Sequence, residues 1–386
     1  MSEQRDHQDV ASGSADDAPR ARTGHPYYMY DSILEMGSVL GACMRDEMLA
    51  RLRTMAETIV SRGTRRMFLV GCGTSLNIGK ALVYCLEQRA GIPTRAINSF
   101  EFMSYPPPDL DDKAAVIAIS HSGNSLVTVQ AAQFARQRGA YTIGMVGNPR
   151  GKLASAGDVT LLDPGGVEHN GPKIRSYIVS CFQGLLLSLL IQEIVTGASL
   201  IPQLRGLPEA ADRAIHEIEP AAREIAFDWA KQVNSYMVAG SGSDAGNAQE
   251  IALKILETIP PPANGYDIEE YTHGPMFSLR SDRALILLQG TPEGKKRCVE
   301  AAYAASAVTD KILVVTQDTH AGWPQCAVVW QIPEGHELAA FLLSPLPTQV
   351  MVYYLCLALG TSPDHATASS PQMGELYRRA FPPGMH

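Results

Sequence analysis

A repeated segment restricts the fold of this chain more than any other feature. Phe68-Leu-Val-Gly71-Cys-Gly73-Thr-Ser75 is matched by Met237-Val-Ala-Gly240-Ser-Gly242-Ser243. Each copy sets Gly-x-Gly and a hydroxyl between a short apolar run and the start of a helical pattern. Around the first copy, strand-like runs at 67–70, 95–98, 114–120, 141–146 and 159–162 are separated by helical stretches near 75–88 and 125–138. Around the second, strands are expected at 236–239, 284–289, 311–316 and 327–332, with a helix from about Asp244. Short apolar strands alternating with amphipathic helices give a parallel sheet covered on both faces. The fold class is therefore α/β, with two tandem doubly wound sheets.

The rest of the chain fits around these units. Residues 1–25 are polar with no apolar period and read as a disordered tail. Helical patterning begins near Asp31, read as an N-cap, and a second helix runs from about Arg45 to Ser61. The first domain is expected over 26–200, ending in a long helix from Arg175 to Val195. The second spans 201–362, opening with a polar helical segment (209–232) and closing with a helix at 347–359. A tail covers 363–386.

Composition narrows the function classes. A formal charge of −8 removes the basic face that nucleic-acid binding needs. The seven cysteines contain no CxxC pair, which fits reduced thiols better than disulfides or a zinc site. The apolar run 184–195 is too short to span a bilayer and reads as a buried helix. A cytoplasmic protein, with no nucleic-acid or membrane partner, is expected.

In an open parallel sheet, ligands bind beyond the carboxyl ends of the strands. Two loops stand there: Ser120-His121-Ser122-Gly-Asn-Ser125, and Gly73-Thr74-Ser75. Hydroxyls, flexible glycines and the free N–H groups of helix starts form an anion site that needs no lysine or arginine. Ser125 taken alone reads as an N-cap. The cluster as a whole reads as a phosphate grip. A dinucleotide fingerprint does not fit: Leu76 stands where the first copy needs its third glycine, and the second copy finds one a place late, at Gly246.

Glu250, Lys254 and Glu257 fall at i, i+4 and i+7 and share one helix face. The spacing is that of a solvated salt-bridge stripe. Yet Ile251, Ala252, Leu253, Ile255 and Leu256 require much of this helix to be buried. Glu257 lies in the last turn before Pro260-Pro261-Pro262, where the helix dipole disfavours a carboxylate and suits it to general-base work. The pattern alone leaves structure and catalysis both open. His273, in a polar loop before Gly274-Pro275, is an acid/base candidate; a lone loop histidine is more commonly structural or exposed.

Taken in order, Gly71–Ser75, Ser120–Ser125, the Glu250/Lys254/Glu257 row, His273-Gly-Pro275 and the 359–364 segment resemble the sugar isomerase (SIS) family. The likeness is greatest to its two-unit phosphosugar members: the isomerase half of glucosamine-6-phosphate synthase, the amino-sugar-phosphate deaminase/isomerases and the fructosamine-6-phosphate deglycases. It covers the chain from about Tyr27 to Asp364. The resemblance implies flavodoxin-like SIS units, a homodimer and a small sugar-phosphate substrate, with no metal or other cofactor. Gly73, Thr74, Ser75, Ser120, His121, Ser122 and Ser125 would hold the phosphate. Glu257 would move a proton between C1 and C2, Lys254 paired with Glu250 would lie in the same site, and His273 would come from the partner subunit to open the ring. The glutaminase half of the synthase is absent, and the synthase's C-terminal lysine has no counterpart, the last lysine here being Lys311. The tail favours a deaminase/isomerase of a 6-phosphorylated amino sugar. An aldose–ketose isomerase, a deglycase and a non-catalytic sugar-phosphate sensor are the alternatives.

Overall fold

A computed structural model describes residues 20–365 and 371–381. Three helices open the chain: α1 (Tyr28–Leu34), α2 (Met36–Cys43) and α3 (Asp46–Ser61). The first unit follows as β1 (Arg66–Gly71), α4 (Thr74–Ala90), β2 (Thr94–Asn98), α5 (Ser99–Ser104), β3 (Ala114–Ile119), α6 (Leu126–Gln137), β4 (Tyr141–Val146), β5 (Val159–Leu162) and α7 (Arg175–Thr196). Two connecting helices, α8 (Leu207–His216) and α9 (Glu219–Gln232), lead to the second unit. This comprises β6 (Ser235–Gly240), α10 (Ser243–Thr258), β7 (Ala263–Asp267), α11 (Ile268–Thr272), β8 (Arg283–Gln289), α12 (Lys295–Ser306), β9 (Ile312–Thr316) and β10 (Val328–Gln331). Helices α13 (Ala340–Leu343), α14 (Leu346–Leu359) and α15 (Pro371–Ala380) end the described chain.

Both sheets are parallel and share one strand order. The first runs β2-β1-β3-β4-β5 and the second β7-β6-β8-β9-β10. In each, the first strand of the unit sits between the second and third, so the chain leaves it in opposite directions across a switch point. The repeat extends to backbone angles: Gly73 has φ 56° and ψ −128°, and Gly242 has φ 60° and ψ −127°. A side chain would strain both turns, so the Gly-x-Gly pattern follows from strand-to-helix geometry.

One core joins the units. Helix α7 is buried without a break from Arg175 to Ile191, and α14 from Leu346 to Cys356. Such helices are apolar on every side because they have no solvent face. At 22 residues α7 is long and apolar enough to cross a membrane, unlike the shorter run recognised in sequence, but 78% of its apolar window is buried inside the protein. Helices α4 and α10 cross in close contact. A Cβ on Gly246 would stand 2.6 Å from the backbone nitrogen of Ala81, so the displaced third glycine serves helix packing across the units.

Several expectations need correction. Helix α1 starts three residues before Asp31, which lies in its first turn and pairs with Arg22 at 2.6 Å. Of the expected tail, residues 1–19 lie outside the described residues, while His25 packs on Tyr30 and meets the Tyr353 hydroxyl at 2.7 Å. The polar segment before the second unit is two helices, each with proline in its first turn. Strand β7, Ala-Asn-Gly-Tyr-Asp, carried no strand signal; it pairs only with β6, at the sheet edge. In the expected C-terminal tail, Asp364 is buried and accepts the Tyr28 and Met29 N–H groups at 3.0 and 2.9 Å.

Candidate active site

The phosphate-grip residues stand at the carboxyl ends of β1 and β3, beside the switch point of the first sheet. Ser120 directly follows β3, and Ser75 lies in the first turn of α4. Neither hydroxyl has a hydrogen-bond partner among the described residues. Ser125 occupies the N-cap position of α6, but its Oγ meets the Thr128 hydroxyl at 3.2 Å and caps no backbone N–H. Helix α6 therefore presents free N–H groups toward the loop. Ser122 is exposed, and its Oγ accepts the Asn124 N–H at 3.2 Å. Hydroxyls and open N–H groups thus stand at the ends of two neighbouring strands, and they are the kind of donor an anion site uses.

Two residues of that set have other tasks. The His121 ring turns inward and fills the space beside Gly147, where a Cβ would lie 2.1 Å from the ring. Its Nε2 accepts the Glu168 N–H at 2.9 Å, and burial lowers the ring pKa to about 4. His121 is thus a neutral brace of the loop, and its side chain is unavailable to a phosphate. The Thr74 hydroxyl donates to Glu250 Oε1 at 2.9 Å and accepts from Lys254 Nζ at 3.0 Å, bonding first unit to second.

The Glu250, Lys254 and Glu257 row on α10 is no solvated stripe. Glu250 and Lys254 side chains are 0% and 1% exposed, whereas Glu257 keeps 30%. Lys254 Nζ lies 3.3 Å from Glu250 Oε1 and 2.6 Å from Glu257 Oε2. Burial pushes the Glu250 carboxyl above its ordinary range, against Lys254, Asn77 and Thr74. Burial also opposes the Lys254 ammonium, but the carboxylates on either side raise it above the usual lysine range. All three lysine donors are committed. Glu257 has one oxygen fixed by Lys254, which offsets the charge that the helix end disfavours, and its other oxygen is free to act on a proton.

His273 ends α11 with its side chain 76% exposed and Nε2 3.5 Å from Glu269 Oε2. No hydrogen bond or ion pair within the described chain joins it to the α10 row. Sequence reasoning missed the segment between β5 and α7, whose prolines and glycines carry no periodic signal. There Glu168 accepts the Ile174, Arg175 and Ser176 N–H groups and caps α7. Burial pushes this carboxyl up, but Lys173, His121 and the cap bonds prevail and hold it at about 2.

The second unit treats the same positions differently. Asp244 stands where the first has Ser75, and Gly290 where it has Ser120. Asp244 is buried and accepts the Gly290 N–H at 2.7 Å, the Ser344 hydroxyl at 2.5 Å and the Asn247 amide at 2.8 Å. The protein's own carboxyl group fills that strand-end position. Among the described residues no three His, Cys, Asp or Glu side chains gather as a metal site would require.

Comparison with known proteins agrees with this fold. The model of the SIS domain matches residues 62–191 and 231–359. Glutamine–fructose-6-phosphate aminotransferase (isomerizing) of Aeropyrum pernix is 28% identical over 355 residues, covering 89% of this chain and 56% of the relative. The chain thus spans about half the length of the curated relatives it matches. The C-terminal domain of glucosamine-fructose-6-phosphate aminotransferase from Francisella tularensis superposes with a TM-score of 0.77 at 17% identity, covering 90% of this chain and all of that one. Glucosamine-6-phosphate deaminase from Thermotoga maritima gives 0.65 at 19%, covering 87% and 96%. At these identities the superpositions speak for the fold.

Proposed function

The chain belongs to the SIS domain family, and on that premise we propose that it is a phosphosugar enzyme, foremost a deaminase/isomerase of a 6-phosphorylated amino sugar. One observation carries the reading: Ser75 and Ser120 have free hydroxyls at two strand ends, and Thr74, beside Ser75, bonds to Glu250 and to the Lys254 that holds Glu257, whose second oxygen is unbound. Such a site grips an anion at one end of a small molecule and moves a proton at the other. The names of the A. pernix relative and the T. maritima deaminase support the substrate class.

In this mechanism Ser75, Ser120, Ser122 and the start of α6 hold the phosphate. His273 of a second copy assists ring opening, which gives its exposure a purpose. Glu257 removes the proton from C2 and returns it at C1. The iminium left at C2 takes up water, and ammonia leaves to give the ketose phosphate. The carbonyl at C1 acidifies the transferred proton, so a carboxylate serves as the general base. A homodimer in a cytoplasmic setting belongs to the same proposal.

The test is a screen of glucosamine, galactosamine and fructosamine 6-phosphates and their aldose counterparts, read for ammonia and ketose together. Ammonia with ketose from a 2-amino sugar supports the proposal. Ketose without ammonia from the aldoses alone moves the protein to the simple isomerases, and turnover of the fructosamine ester alone to the deglycases. Binding without any turnover makes it a sensor.

A further inference from the structure

Lys173 is bonded beside one half of the site and lies within charge range of the other. Its Nζ donates to the Glu168 and Asn170 carbonyl oxygens at 2.9 and 2.5 Å. The Glu168 N–H in turn donates to His121, which braces the phosphate loop. Lys254 and Glu257 also lie close enough for their charges to act on it. A lysine has three donors. Lys254 has committed all of its own to Thr74, Glu250 and Glu257, but Lys173 has committed two. Its third N–H has no partner among the described residues.

Enediol-type proton transfer needs such a donor. As Glu257 takes the C2 proton, the C–H electron pair forms the C1–C2 double bond and the carbonyl pair moves onto O1. That oxygen gains negative charge, and a fixed N–H aimed at it stabilises the transition state more than the ground state. We propose that Lys173 is a further catalytic residue, its third N–H meeting the substrate's C1 oxygen while Glu257 acts at C2. This rests on the function proposed above. Burial pulls the Lys173 ammonium below the usual lysine range, with Glu168 opposing and Lys254 adding to the pull. A weaker hold on its proton suits it to an oxyanion.

The experiment compares wild type with K173M, K173Q and K173R on whichever substrate the screen identifies. Each variant is also titrated with glucitol 6-phosphate, which has the phosphate but no carbonyl. K173M should lose about 10²-fold or more in kcat and hold glucitol 6-phosphate within about threefold. K173R, which keeps charge and donors, should recover at least about tenfold of the loss. K173Q retains two donors for the loop carbonyls, and carries the same expectation if K173M does not fold. Turnover by the neutral variants within about threefold of wild type overturns the assignment. So does loss of sugar-alcohol binding in step with kcat, which would make Lys173 a loop brace alone. A wild type that turns over nothing in the screen refutes the proposed function, and this inference falls with it.

Discussion

Glu257 shows how far a single residue was legible in sequence. Its spacing from Glu250 and Lys254 was plain, but spacing cannot separate an exposed stripe from a buried row. The separation comes from Thr74 and Asn77, which bond to Glu250 from the other unit at 2.9 and 3.0 Å. E257Q keeps an oxygen for Lys254 but cannot take a proton, so kcat should fall by about 10²–10⁴-fold. Titration with glucitol 6-phosphate should show unchanged affinity; loss of binding with kcat would refute the base assignment. The His121 cluster has its own titration signature. His121 drops from 6.5 to about 4 and Glu168 from 4.5 to about 2, so the stability each contributes is lost as pH falls through those windows. Asp163, raised from 3.8 to about 6 mainly by burial, has the opposite sign and gains stability as pH falls. Between about pH 6.5 and 4.5 His121 and Asp163 largely cancel, and Glu168 governs the steeper loss below. Urea unfolding from pH 7 to 3 measures this. A steep loss already complete by pH 5 would contradict the opposing pair.

At the scale of elements, sequence reading succeeded where burial is two-sided. Strands β4 and β5 fall at the expected residues, because continuous apolar runs bounded by turns have few alternatives. It failed at β7, an edge strand whose Asn, Gly and Asp follow tertiary pairing against local preference. It gave Gly246 no role, because the meaning of that glycine lies in a helix far away in sequence. Replacing Gly246 by leucine should force α4 from α10, since even a Cβ would lie within 2.6–2.9 Å of Ala81 atoms. A stability loss of about 1–3 kcal/mol is expected from overpacking. Turnover should fall further than stability explains, because the Thr74–Glu250–Lys254 bonds span that crossing. A folded G246L with full activity would uncouple the crossing from the site.

For the whole molecule, the two-sheet architecture and its duplication could be read from the chain, whereas the second copy proposed to receive His273 leaves no periodic mark in a sequence. Its side chain is 76% exposed and pairs only weakly with Glu269, so the proposed chemistry requires another subunit. Mixing refolded E257Q and H273A chains tests this directly. Each alone should be inactive, and an equal mixture should regain about a quarter of wild-type activity, from heterodimers with one intact site. No recovery in mixtures that do form heterodimers would place His273 outside the reaction. Asp244 adds a last consequence. By seating its carboxyl group on the Gly290 N–H, the second unit carries its own permanent ligand. A fold with twofold internal likeness should therefore count as one on a calorimeter: one phosphate ester per polypeptide, its duplicate berth already taken by the chain itself.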